Sequence, residues 1–240
     1  MVRGARVAAR SKKSGSIAFL AAGGLFVAML DPGAHLAMPP AYAAPARAGA
    51  ISEATVASYL SPETNLDALK RLGPGVMPVL ASIYERADEA KRTQLAVAFY
   101  GLGMKSPDAK RVLMRDVHTA NPELRLQVQW ALGRVSNDDD VVDVLLENMQ
   151  DDANPLFRDK AACALAHDQI FLTESQKVRM FGHLIGALAD PKLQVRQIAL
   201  QVLQIHTGQT KGFDPDGPPA LREAGIQAWR AWLQEYRAGL

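Results

Sequence analysis

Apolar residues recur along the chain at intervals of three and four, which is the spacing of one face of an α-helix. Four segments share a phase, each opening with an arginine, and the arginines are 33, 33 and 38 residues apart. They are Arg92-x-x-Leu95-x-x-Ala98-Phe99, Arg125-x-x-Val128-x-x-Ala131-Leu132, Arg158-x-x-Ala161-x-x-Ala164-Leu165 and Arg196-x-x-Ala199-x-x-Val202-Leu203. Convincing strand-like alternation does not occur. The pattern predicts an all-α chain of repeated helix pairs over residues 51–207.

Helix start signals recur at matching places in the repeat. A side-chain acceptor followed by proline suits a helix N-terminus, where free amides need acceptors and proline's missing N–H costs nothing. This pair occurs as Asn121-Pro122, Asn154-Pro155 and Asp190-Pro191, and Ser61-Pro62 is interpreted the same way upstream. Intervening helices are predicted over Val76–Ala87, Pro107–His118, Asp139–Gln150 and Glu174–Ala189, with Thr173 and Gln176 forming a capping box for the last.

The stretch Asn121–Asp151 resembles a short bacterial HEAT repeat of the type related to phycobilisome-lyase repeats. That family's pattern is D-P-x-V-R-x-x-A-x-x-A-L-G, a short turn, and then x-V-x-x-L-x-x-x-L-x-D. The resemblance runs through residues 88–207, and the longer third step reflects an insertion at Asp168–Thr173. It implies an α-solenoid, a curved slab of stacked antiparallel helix pairs that holds another molecule.

Residues 208–240 resemble a second feature of bacterial HEAT arrays, a T-G…G-[FY]-D-P…W-x-x-W ending. Here it is Thr207-Gly208, Gly212-Phe213-Asp214-Pro215 and Trp229-x-x-Trp232, so we expect a loop and then a capping helix from Leu221 to Arg237. The predicted cap residues are Phe213, Trp229, Trp232 and Tyr236. They would cover the last apolar face, against the helix that runs from Pro191 to His206.

Residues 1–43 have the pattern of a signal peptide. A basic stretch, Met1–Lys13, precedes an apolar run, Ile17–Leu30, and Ala41–Ala43 supplies an A-x-A site. The run is shorter than the roughly 20 residues that an anchor needs. We therefore expect cleavage between Ala43 and Ala44, a flexible N-terminus over residues 44–50, and a periplasmic or extracellular protein. A retained membrane anchor is the alternative.

The charge balance bears on the partner. The chain has 27 Lys and Arg against 25 Asp and Glu, a net charge of +2, and residues 1–43 alone contribute +4. Residues 44–240 therefore sum to −2, which argues against a nucleic-acid partner. The single cysteine, Cys163, excludes an intramolecular disulfide and a zinc site built on cysteines.

Catalytic patterns are missing from the sequence. Deoxyhypusine hydroxylase, a HEAT-repeat enzyme, binds iron through His-Glu dipeptides, and this chain has none. Nucleophile, P-loop, dinucleotide and zinc-protease motifs do not occur either. The acidic run Asn137–Asp140 is interpreted as the start of a helix. We expect no catalytic residue, no metal and no cofactor.

With no catalytic pattern found, the remaining candidate for a functional site is a binding surface. If Val128 is at the centre of the buried face of its helix, Leu126 and Trp130 point the opposite way. With the equivalent positions in other repeats they form a ridge, expected on the concave side: Thr93, Val97, Leu126, Trp130, Asp159, Gln197 and Gln201. An exposed Trp130 would be a binding hot spot; packing between adjacent helices is the alternative.

The repeated arginines, Arg92, Arg125, Arg158 and Arg196, are interpreted as structural, pairing with carboxylates or carbonyls of adjacent repeats, rather than as a phosphate-binding ladder. Together these features predict an exported, non-enzymatic scaffold or adaptor for an unidentified protein or peptide. The alternative is a HEAT-type enzyme, lyase- or hydroxylase-like, acting on a bound chromophore or protein.

Overall fold

A computed structural model of the protein describes residues 51–240. The predicted signal peptide, its cleavage site and the flexible segment 44–50 lie outside the described residues. Within residues 51–240, all of the regular elements are helices, so the predicted all-α class is confirmed. The helices are α1 Glu53–Ser58, α2 Leu66–Arg71, α3 Val76–Arg86, α4 Glu89–Leu102, α5 Pro107–Asp116, α6 Pro122–Val135, α7 Asp139–Asp151, α8 Pro155–Cys163, α9 Glu174–Ala187, α10 Leu193–Thr207 and α11 Pro219–Ala238.

The helices form two layers, as expected for a solenoid of helix pairs. The even layer stacks α2, α4, α6, α8 and α10 in order, and α4 and α6 make the most extensive contact. The odd layer includes α3 on α5, α7 on α9, and α9 on α11. One apolar core lies between the layers, with Leu95, Phe99, Leu132 and Leu145 completely buried.

Several predicted start signals are confirmed. The Asn121 side chain accepts hydrogen bonds from two amides of α6, and Asn154 accepts one from α8. Thr173 and Gln176 form the predicted capping box of α9. These contacts satisfy amides that have no partner inside a helix.

Two start signals were wrong. Helix α10 begins at Leu193, because the Asp190 carboxylate accepts from the amide of Lys192 in a turn before the helix. Ser61-Pro62 lies in the turn between α1 and α2, and Asn65 caps α2 instead. In both cases the proline lies in the connection before the helix, and such residues favour turns as well as helix starts.

The four repeat arginines connect neighbouring helices. Arg92 donates to Asp116 at the end of α5, and Arg125 pairs with Asp152 after α7. Arg158 bonds the carbonyl of Asp152 and the side chain of Gln194. Arg196, which is 6% exposed, bonds the carbonyls of Asp190, Pro191 and Pro215. The guanidinium fork suits these multiple acceptors.

The insertion lies against α6. After α8 the chain continues as one π-helical turn, Ala164–Asp168, and then a loop. The backbone of Asp168 approaches Gly133 so closely that a Cβ there would be 2.6 Å from the Asp168 carbonyl oxygen. Only glycine permits this contact, which accounts for the final position of the A-L-G pattern in this repeat.

The C-terminal helix packs mainly on α9, and not on α10 as predicted. Trp229 is fully buried and Phe213 is 4% exposed, whereas Trp232 and Tyr236 are half-buried. Phe181 of α9 meets the rings of Trp232 and Tyr236 edge-on, with centroids 5.4 and 5.8 Å away. The preceding turn uses Gly208 at φ 71°, where a side chain would be strained.

Candidate functional site

The structure brings Val97, Trp130 and Cys163 to one open groove on the outer face of the even layer. We call it the ridge groove. Its volume is about 510 Å³, and its lining is mainly apolar. The lining residues are Val97, Tyr100, Gln127, Trp130, Cys163, His167 and Asp168. Three successive even helices, α4, α6 and α8, therefore contribute to a single surface.

Two other ridge residues lie in a hollow beside the ridge groove. Gln201 and Asp159 line a smaller hollow between α8 and α10, which shares Cys163 and His167 with the groove. Ile205, 42% exposed, extends this hollow along α10. Gln197 is exposed, and Thr93 and Leu126 are partly exposed, but none of the three lines either hollow.

Trp130 is both packed against its neighbours and partly exposed, which are the two alternatives that its spacing left open. It is half-buried, packs against the core, and lies at 6.4 Å from Tyr100 between ring centroids, tilted by 48°. It nevertheless lines the ridge groove. Val97 beside it is 45% exposed. The groove therefore has an aromatic wall that is held in place by packing while part of it remains accessible.

A polar network supports this wall. The Arg134 guanidinium lies 4.7 Å from the centre of the Tyr100 ring and donates from Nη2 to the tyrosine oxygen at 3.3 Å. Its Nε donates to Asp168 Oδ1 at 3.1 Å. Burial raises the pKa of the Asp168 carboxyl, although the hydrogen bond and charge of Arg134 act in the opposite direction. These charges satisfy each other and leave the groove surface uncharged.

Cys163 lines both hollows. Burial, reinforced by nearby carboxylates, raises the pKa of its thiol. The thiol is therefore protonated at neutral pH, and a protonated thiol is a weak nucleophile and a weak metal ligand. In the chemistry of the groove Cys163 acts as a small apolar side chain.

Sequence reasoning missed several groove residues, namely Tyr100, Gln127, His167, Asp168 and Ile205. Tyr100 lies three positions after Val97 and Gln127 three positions before Trp130, so the helical period could have placed both on the ridge. His167 lies four positions after Cys163, a spacing that places the two residues on one helical face. Asp168 comes to the groove at the end of the π-helical turn, whose wider winding the sequence spacing does not predict.

Neither a metal-ligand cluster nor a membrane-spanning helix is found between residues 51 and 240. Between residues 51 and 240, His, Cys, Asp and Glu side chains nowhere come together in threes that could hold a metal ion. Across the same range, each helix is too short or too polar to span a bilayer.

Comparison with known proteins agrees with this geometry. Residues 77–166 match the protein family described as HEAT repeats. The match begins in α3 and ends in the π-helical turn, so it includes the three helices that line the ridge groove. It supports a HEAT-repeat protein, and with the two helix layers it shows an α-solenoid. No curated protein and no solved structure matches the chain.

Proposed function

We propose that this protein is an exported, non-enzymatic scaffold or adaptor that holds a protein or peptide in the ridge groove. The observation that carries the proposal is the groove itself, an uncharged surface shared by three helices and walled by Trp130 and Tyr100. HEAT repeats are generally surfaces for protein interaction, and residues 77–166 match them.

The energetics favour a partner with apolar side chains. Covering apolar area yields about 25 cal/mol per Å², and rigid aromatic residues such as Trp130 typically dominate binding energy. Because Arg134 and Asp168 already pair, a charged partner would find no free counter-charge in the groove. An apolar segment flanked by groups that hydrogen-bond Gln127 and Gln201 fits best.

A photo-crosslinking residue placed at Gln127 or Gln201 tests this proposal. We expect it to capture a defined polypeptide from the extracytoplasmic fraction, and we expect loss of capture in Trp130→Ala. Gln227 is exposed on α11 and is the matched control position. Equal capture from Gln227, or capture unaffected by Trp130→Ala, would contradict the proposal.

Export rests on the leader pattern in residues 1–43. Fractionation of the full chain and N-terminal sequencing test it. We expect a mature chain that begins at Ala44 outside the cytoplasm. A chain that begins at Met1 in the membrane fraction would support the anchor instead. An absorption spectrum and metal analysis address the enzyme alternative, because a bound pigment or stoichiometric iron would favour it.

A further inference from the structure

An open pocket of about 300 Å³ lies on another part of the molecule, where the ends of α5 and α7 meet the start of α6. We call it the junction pocket. It shares no lining residue with the ridge groove. Its lining residues are His118, Arg125, Glu147, Asn148, Asp151, Asp152 and Ala153.

One buried side chain of this pocket has an unused hydrogen-bond donor. Asn148 is 3% exposed, and its amide nitrogen has no hydrogen-bond partner; Arg125 Nε beside it in the pocket lining is also unpaired. Buried polar groups in folded proteins are nearly always paired, so such a group indicates a missing partner.

The equivalent position in the preceding repeat has the hydrogen-bond partners that Asn148 lacks. Val112-Leu113-x-x-Asp116 in α5 corresponds to Val144-Leu145-x-x-Asn148 in α7. In α5 the position is satisfied, since Asp116 accepts from the Tyr84 hydroxyl at 2.7 Å and from Arg92 at 2.8 Å. In α7 the equivalent arginine, Arg125, turns instead to Asp152 and to the ring of Phe157, and leaves Asn148 unpaired.

The charges around the junction pocket favour a cation. Arg125 and Asp152 neutralise each other. Glu147 and Asp151 are exposed carboxylates, and Asp151 makes one long ion pair with the Lys192 ammonium at 4.0 Å. The C-terminal end of α7 adds the partial negative charge of the helix dipole. The pocket therefore offers negative charge together with a buried amide donor.

We infer that the junction pocket binds the amino-terminal end of a peptide. Its α-ammonium group would lie by Glu147 and Asp151, and its first carbonyl oxygen would accept the unused hydrogen bond of Asn148. A simple alkylammonium ion satisfies only the charge, whereas an α-amino amide satisfies both features. The same chemistry is offered by a free amino-acid amide and by a polypeptide N-terminus.

An NMR titration of the full chain tests the inference, with the side-chain amide signal of Asn148 as readout, identified by its loss in Asn148→Ser. We expect glycinamide to shift this signal saturably, ethylamine to bind about tenfold more weakly, and N-acetylglycinamide not to bind, because it has no ammonium group. Equal responses to all three compounds, or no response to glycinamide, would overturn the proposal.

Variants and a longer probe complete the test. Glu147→Gln with Asp151→Asn should weaken glycinamide binding about tenfold, since two surface charges are lost, while Asp143→Asn on the same helix should leave it unchanged. Equal weakening by Asp143→Asn would indicate only general attraction and would contradict the site. A tripeptide that starts with glycine should bind at least as tightly as glycinamide; failure to bind would exclude the polypeptide N-terminus.

Discussion

The two layers of the solenoid present different surfaces to solvent. On the odd layer a polar link joins each successive pair of helices, whereas the middle of the even layer carries uncharged residues such as Val97, Trp130 and Gln201. The odd-layer links are Glu53–Arg86, Glu85–Arg111, Lys110–Asp140, Asp139–Arg179 and Glu174–Tyr236. The odd layer pairs several of its charged groups within the molecule, whereas the middle of the even layer exposes apolar and amide groups.

The charged links and the surface proposed for binding therefore lie on different layers. Exposed ion pairs contribute about 0–1 kcal/mol each, so the odd-layer links keep the surface charged and soluble more than they hold the fold. If the apolar residues of the even layer formed a larger exposed patch, they would promote nonspecific aggregation. Their restriction to a groove fits the proposal that this surface binds one partner.

The largest effect should come from removing the C-terminal cap, which packs mainly on α9. Truncation after Gly208 deletes Phe213 and the fully buried Trp229. Each large aromatic residue lost from a packed site costs about 3–5 kcal/mol, a large share of a domain's stability. We expect aggregation or a much lower melting temperature, measured by thermal melting and size-exclusion chromatography. A monomeric truncated chain that melts unchanged would show that α11 is not a cap.

Gly133→Ala should produce the next largest effect. The new methyl group would lie 2.6 Å from the Asp168 carbonyl oxygen, so the insertion must move. Overpacking of this kind costs about 1–3 kcal/mol, measurable by urea denaturation. Gly186→Ala in α9 is the matched control, since nothing lies within 4 Å of its new methyl group. It should be neutral or slightly stabilising; equal destabilisation by both substitutions would contradict the close approach.

Trp130→Ala tests the even face directly. We expect binding of the crosslinked partner to weaken by about 2 kcal/mol or more, as for a hot spot, while the melting temperature changes little because the ring is half-buried. The measurement is titration calorimetry with the identified partner. Leu221→Ala, exposed by 62% on α11, is the control and should leave affinity unchanged. A large loss of stability would instead make Trp130 a core residue.

A smaller, pH-dependent effect should come from His206, whose Nε2 lies 3.0 Å from the Leu165 carbonyl oxygen. Burial lowers the pKa of this histidine, although that hydrogen bond opposes the shift. As the pH falls, His206 is therefore protonated in the unfolded chain at a higher pH than in the folded chain. Stability is complete above the unfolded pKa of about 6.5 and falls below it, by at most about 1.4 kcal/mol per pH unit.

Urea denaturation at pH 7.5 and 5.5 measures this loss. His206→Gln should reduce the pH dependence, and His183→Gln, on an exposed part of α9, should retain it. Identical behaviour of the two variants would show that another group is responsible.

The smallest effect should follow Lys110→Gln on the odd face. It removes contacts to Asp138 at 2.6 Å and Asp140 at 2.7 Å, where the carboxylates are more than half exposed. We expect a loss of stability below about 1 kcal/mol that shrinks in 0.5 M salt, and no change in partner affinity. A loss of affinity would place part of the binding surface on the odd layer.

The sequence predicts the repeated helices well because their signals are local. Helical spacing and side-chain caps act within a few residues, and α6, α8 and α9 begin where such caps predict. Features that depend on contacts between residues distant in sequence are harder to predict. The approach of Asp168 to Gly133 and the packing of α11 on α9 depend on contacts between distant residues, and the π-helical turn that carries Asp168 has no local signature.

The insertion after α8 has a consequence for cooperativity. In a simple solenoid each repeat touches only its neighbours, so such arrays can unfold from their ends. Here one loop pairs with α6 through Asp168 and Arg134, and also reaches the end of α4, where Ile170 lies beside Gly103 and the Lys105 ammonium lies 5.6 Å from the Phe171 ring. Because three even helices share these contacts, their amides should exchange hydrogen together, with one free energy of opening, while α1 and α2 open separately.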